Sequence, residues 1–141
     1  MLDTCIFNKL LDCKIKPVEL PVDGEFYATH IQIDEIKKTS DVNKREALLS
    51  KFKELTQPGI IATETFLADI SHVDIDRLGN GVWYSKVKNT LDSLNKRKRN
   101  KSQDSLIAEA AIMNSFTLLT ADKDLSIACK QLSAKVIYFE T

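Results

Sequence analysis

The chain has 141 residues, enough for one domain with its own core, and its 43% apolar and 28% charged residues are ordinary for a globular protein. Twenty basic and twenty acidic residues cancel, so net charge selects neither a nucleic acid nor a membrane surface as partner. No apolar run approaches the ~20 residues of a membrane span, and no signal-peptide pattern opens the sequence. Cys5, Cys13 and Cys129 form no CxxC pair and cannot all be bridged, which suits reduced thiols. A cytoplasmic protein with no membrane partner is expected, with residues 1–141 forming a single domain.

Met1-Leu2-Asp3 reads as the end of a short buried strand that breaks at Asp3-Thr4, followed by an amphipathic stretch with Phe7, Leu10 and Leu11 on one side. Pro17, Pro21 and Gly24 mark a loop, and Glu25 to Ala28 has the form of a second short strand. Thr29-His30-Ile31-Gln32 matches a capping box, opening a helix with Glu35 in its second turn. Asn43 with Glu46, then Leu48, Phe52 and Leu55, predict another helix that Pro58-Gly59 stops. The β-branched and aromatic run from Ile60 to Leu67 predicts a strand, although Glu64 interrupts it, and the stretch up to Gly81 matches no pattern.

Trp83, Val87, Leu91 and Leu94 form a helical stripe. Ser102 is the candidate N-cap of a helix over Gln103 to Met113 that is apolar on nearly every side and so buried. Phe116 to Thr120 predicts a buried strand, Asp122 a cap for a helix with Leu125, Ala128, Cys129 and Leu132 inward, and Lys135 to Phe139 a last strand. Short apolar strands alternating with helices predict a three-layer α/β/α sandwich around a central, mainly parallel sheet. Ligands of such sheets sit outside the carboxyl ends of the strands.

Asp3 follows the first strand, Asp122 and Asp124 follow the Phe116–Thr120 strand, and Glu35 and Asp104 fall near the starts of helices facing the same edge. Asp104 and Asp122 also read as simple helix caps, and Glu35 as a solvated helix residue. Carboxylates gathered at one edge repel unless a cation or shared protons offset their charge. An oxygen-only donor set suits Mg²⁺ or Mn²⁺. His30 and His72 are far apart in sequence and read as isolated surface or core histidines.

Four stretches together resemble the acidic motifs of the PIN-domain family, in order along the chain. They are Leu2-Asp3-Thr4-Cys5-Ile6-Phe7, the run from Ala28 to Ile36, the run from Asp104 to Ala111, and Leu118 to Leu125. The resemblance implies a PIN-like, Rossmann-like fold and a Mg²⁺- or Mn²⁺-dependent ribonuclease, a hydrolase cutting RNA phosphodiester bonds. Asp3, Glu35, Asp104 and Asp122 would be the metal ligands, Asp124 a further catalytic acid, and Thr120 a residue that orients a carboxylate or water. Asp34 sits beside Glu35, and only the resemblance chooses between them. Cys5 departs from the asparagine frequent in the family, and no glycine closes the Glu35 helix.

Small stand-alone members resemble VapC-type toxins, so the partners implied are an RNA substrate, an antitoxin protein and a second copy of the chain. Lys96, Arg97, Lys98, Arg99 and Lys101 form a basic run just before Asp104 that could hold RNA phosphates; a solvated loop after a helix is the equal alternative. A catalytically inactive PIN-fold module that binds RNA or protein is the rival reading. A phospho-receiver domain would need an acidic pair after the first strand. A haloacid-dehalogenase phosphatase would need an aspartate where Cys5 stands, and a dinucleotide-binding domain a glycine-rich turn.

Overall fold

The computed structural model describes residues 1–72, 79–97 and 101–141. Its regular structure is mostly helical: α1 (Thr4–Leu11), α2 (His30–Lys37), α3 (Val42–Leu55), α4 (Val82–Leu94), α5 (Lys101–Met113) and α6 (Lys123–Gln131). Among the described residues the one sheet has two parallel strands, β1 (Leu118–Thr120) and β2 (Val136–Tyr138), connected through α6.

The expected three-layer α/β/α sandwich with a central parallel sheet is therefore not formed. The candidate strands near the amino terminus are too short to build ladders. Leu2 contributes a single parallel bridge to Leu119, and the Glu25–Ala28 stretch a single bridge, Phe26 to Thr56. The Ile60–Leu67 stretch is irregular and gives Ala28 one backbone bond, from Ile61 N–H at 3.0 Å. Its neighbours explain why. A Cβ at Gly79 would collide with the carbonyl oxygen of Glu64, so the chain is packed backbone to backbone there instead of in register.

Local signals set most helix starts. Thr29 and Gln32 form the capping box of α2: Thr29 Oγ1 accepts from Ile31 N–H, while Gln32 Oε1 accepts from Thr29 N–H at 2.9 Å. The Gln32 amide then donates to the Leu2 carbonyl at 2.8 Å, pinning α2 to the amino-terminal segment. Asp41, not Asn43, caps α3 by accepting from Lys44 N–H. Gly81, at φ +71°, occupies the N-cap position of α4. Ser102 lies within α5, as its second residue, and accepts from the Tyr84 hydroxyl at 3.3 Å.

Apolar side chains separate into two clusters. One gathers Val87 and Leu91 of α4, Leu106 and Ile107 of α5 and Leu125 of α6. The other gathers Ile6, Phe7 and Leu10 of α1 with Leu48 of α3 and Ile36 of α2. Leu118 belongs to the first and Leu119 to the second, as do Met1 and Leu2 respectively. Successive residues of an extended chain point to opposite faces, so these paired segments partition the interior. Glu109, 2% exposed on α5, takes the Tyr84 N–H at 2.8 Å and the Thr65 hydroxyl at 2.9 Å on one oxygen, fixing the start of α4.

Candidate functional site

Asp3 stands where Leu2 leaves its bridge to Leu119, and its own N–H donates to the Leu119 carbonyl at 3.0 Å. It occupies the N-cap position of α1, yet its side chain makes no capping bond. The carboxylate turns instead towards the end of β1. There Thr120 Oγ1 donates to Asp3 Oδ2 at 2.6 Å and Cys5 Sγ donates to the same oxygen at 3.1 Å. Asp3 is 4% exposed and Thr120 fully buried.

Burial pushes the Asp3 carboxyl above its usual range. The Thr120 and Cys5 hydrogen bonds oppose the rise, repulsion from Asp122 adds to it, and the Thr4 backbone N–H pulls against it. Asp122 is held by its own cap: its N–H donates to Thr120 Oγ1 at 2.9 Å and its Oδ1 accepts from Leu125 N–H at 3.0 Å. Thr120 thus touches two acidic residues at once. The helix-cap reading of Asp122 is realised, and it coexists with the repulsion between Asp122 and Asp3.

Glu35, in the last turn of α2, is half-buried. Burial raises its carboxyl, and Asp3 and Asp34 add to the rise against Lys38. Thr4 also opposes it, through a contact short of full hydrogen-bond geometry, since its buried Oγ1 makes no hydrogen bond. Asp104, in the first turn of α5, is buried. Its charge and that of Asp3 both act on Cys129, whose thiol burial pushes up to about 12. Asp3 is therefore the hub: Asp122 acts on it, Glu35 feels it, and Asp104 is linked to it through their common effect on Cys129.

Asp124 sits in the first turn of α6, half-buried, with no hydrogen bond to the other four acids. The basic run is divided. Lys96 and Arg97 are exposed, Lys101 forms an ion pair with Asp92 at 2.8 Å, and Lys98 and Arg99 lie outside the described residues. Trp83 is half-buried, with the Lys86 ammonium 4.6 Å from its ring centre.

Asp34 is turned away from Asp3 and towards two histidines that sequence reasoning left isolated. Its Oδ2 meets His30 Nδ1 at 2.9 Å and His72 Nε2 at 3.0 Å. The i,i+4 spacing of His30 and Asp34 on one helix was a readable signal. Nothing in the sequence announced His72. A cleft of about 760 Å³ lies beside this group, lined by Asp34, Glu35, Lys38, His72, Ser102 and Gln103. Glu35 is the member of the acidic group that reaches it.

The donors around Asp3 are carboxylate oxygens and one hydroxyl. Cys5, the nearest sulfur, is driven far above the usual thiol range by burial and by Asp3, so it remains a thiol and offers no thiolate. Such a set fits a hard divalent cation such as Mg²⁺ or Mn²⁺. Comparison with protein-family models, curated proteins and solved structures finds no match to this chain. Among the described residues, no helix is long and apolar enough to cross a membrane.

Proposed function

We propose that the chain is a PIN-type ribonuclease that cleaves RNA phosphodiester bonds with Mg²⁺ or Mn²⁺ held by Asp3, Glu35, Asp104 and Asp122. The observation that carries this reading is the environment of Asp3. A carboxylate 4% exposed, at an N-cap position it does not use, stands within the field of further acids from α2 and α6. Folding gains nothing by crowding like charges in a dry place, so a cation is the natural counterweight. The reading rests on this site and not on the fold, because converging carboxylates need no wide sheet.

A bound divalent ion supplies a water of lowered pKa and stabilises charge on phosphate oxygens. Thr120 orients Asp3 through the 2.6 Å bond and Asp122 through its N–H, holding two acids in fixed relation. Asp124 at the start of α6 is the candidate to accept a proton from water, and Lys96 and Arg97 are the exposed cations available to phosphates. A cytoplasmic VapC-type toxin paired with an antitoxin, and self-association of the chain, belong to the same proposal.

RNA cleavage assayed with Mg²⁺, with Mn²⁺ and in chelator tests it. Cleavage should need the metal and fall by at least about a hundredfold in Asp104→Asn and Asp3→Asn. Cleavage that persists in chelator, or equally in both variants, refutes the assignment. RNA binding without cleavage under any metal would mark a binding module instead.

A further inference from the structure

Apart from the acidic group, two imidazoles and a carboxylate meet at one point. His30 opens α2, Asp34 stands one turn later, and His72 arrives from 38 residues beyond Asp34. The two ring nitrogens approach the same Oδ2 of Asp34 at 2.9 and 3.0 Å, and the three donor atoms all lie within 4.8 Å of one another. The rings are 4.1 Å apart between centres and tilted by 34°. Zinc bonds of about 2.0–2.1 Å to nitrogen and oxygen in a tetrahedron require donor–donor edges of roughly 3.3–3.4 Å. The two short edges need to open by a few tenths of an ångström, and the nitrogen–nitrogen edge, which is within 4.8 Å, to settle to the same length, to admit such an ion.

Burial gives the group a direction. The His30 side chain is 3% exposed, Asp34 35% and His72 41%, so the cluster is closed behind and open in front. Asp34 and His72 line the cleft, as do Lys37 and Lys38. We propose that His30, Asp34 and His72 bind a zinc-class divalent cation whose remaining coordination position faces this cleft. Two imidazoles and one carboxylate favour Zn²⁺ or its neighbours over Mg²⁺, which prefers oxygen donors and retained water. With three protein ligands among the described residues, a tetrahedral ion has a further position for water or for the anionic oxygen of a bound molecule, and the two lysines suit the latter. The site stands apart from the nuclease reading and does not rest on it. Its rival is a metal-free clip in which Asp34 accepts hydrogen bonds from both rings and ties residue 72 to α2.

Titration with Co²⁺ as a visible-absorbing probe, in excess Mg²⁺ to saturate oxygen-only sites, separates the two. The expected result is one Co²⁺ per chain, displaced by Zn²⁺ and not by Mg²⁺, and retained in Asp3→Asn. His72→Asn, at the most exposed of the three ligands, should weaken binding by at least about tenfold. His72→Cys should keep the ion and add a thiolate-to-cobalt charge-transfer band, a signature that a structural role for His72 would not create. Far-UV circular dichroism checks that each variant is folded. Failure of the wild-type chain to bind Co²⁺ overturns the proposal in favour of the clip. Unchanged affinity in folded His72→Asn, or His72→Cys without the new band, overturns it too. Loss of Co²⁺ in folded Asp3→Asn places the ion in the acidic group and overturns it as well.

Discussion

Replacing Thr120 by valine keeps the shape of a fully buried side chain and deletes its hydroxyl. Two bonds to acidic residues go with it, besides a weak one of 3.7 Å with Cys5 Sγ. Donation to Asp3 Oδ2 at 2.6 Å falls in the short range of charge-assisted O–H···O bonds, which contribute about 1.5–3 kcal/mol. The Asp122 N–H loses its acceptor at 2.9 Å, a further cost of about 1 kcal/mol at a half-buried position. A buried methyl in place of a hydroxyl returns roughly 1 kcal/mol. The net loss expected in chelator is therefore about 1.5–3 kcal/mol. Unfolding entropy of about 2.1 cal/mol/K per residue gives roughly 0.3 kcal/mol/K for this length. Thr120→Val should then melt about 5–10 °C below the parent.

The loss should also depend on pH. Thr120 favours the ionised form of Asp3 and holds its pKa down against burial. In Thr120→Val the folded pKa climbs further, so the deficit is largest where Asp3 is ionised in the parent. It shrinks as pH falls through the raised folded pKa of Asp3. Thr120→Ser keeps the hydroxyl and should show little of this pH dependence. Calorimetry across pH makes the comparison. A drop below about 2 °C, or a deficit that is flat with pH, would refute the claim that Thr120 holds the Asp3 pKa down against burial.

Asp104→Asn removes one charge from the acidic group at nearly constant shape, and is expected to melt higher than the parent in chelator by about 1 kcal/mol. Mg²⁺ should stabilise the parent much more than this variant; a lower melting point in chelator would make Asp104 a structural anchor. Because burial raises the folded pKa of Asp3 and Glu35, the folded chain holds protons that the unfolded chain has released. Stability in chelator is thus fully present below the ordinary carboxyl pKa and lost as pH rises through the raised folded values, which urea melts from about pH 4 to about pH 7 would follow. Lys96→Gln with Arg97→Gln should lower the salt slope of RNA binding by roughly one unit per lost phosphate contact, and an unchanged slope would return both to a solvated turn. Of the three cysteines, exposed Cys13 should react rapidly with a thiol reagent, while Cys5 and Cys129 should react only on unfolding.

What the sequence revealed was local. The capping box at Thr29, the burial of α5 and the cap at Asp122 depend on residues close in sequence, and each is realised. The sheet was over-read because β propensity in Glu25–Ala28 and Ile60–Leu67 does not supply partners. Ile61 finds Ala28 for one bond, and Thr65 turns to Glu109 across α5. The acids were legible as types and not as a geometry. Asp34 and Glu35 are adjacent in sequence, and only the packing of α2 sends one towards the histidines and the other into the field of Asp3. His72 was unreadable because its meeting with Asp34 depends on a long irregular segment.

The bond between Thr120 and Asp3 joins residues 117 positions apart. At a synthesis rate of about 5–20 residues per second, Asp3 leaves the ribosome's catalytic centre roughly 6–23 s before Thr120 has been added. No nascent chain shorter than this can assemble the acidic group, and the like charges meet only after α1, α2, α3, α4 and α5 have been made. Contacts of such long separation also slow folding, since loop closure must be met before they reward it. The order of synthesis therefore keeps the charged centre dispersed until β1 has been made, and any activity it carries waits for Thr120 and Asp122.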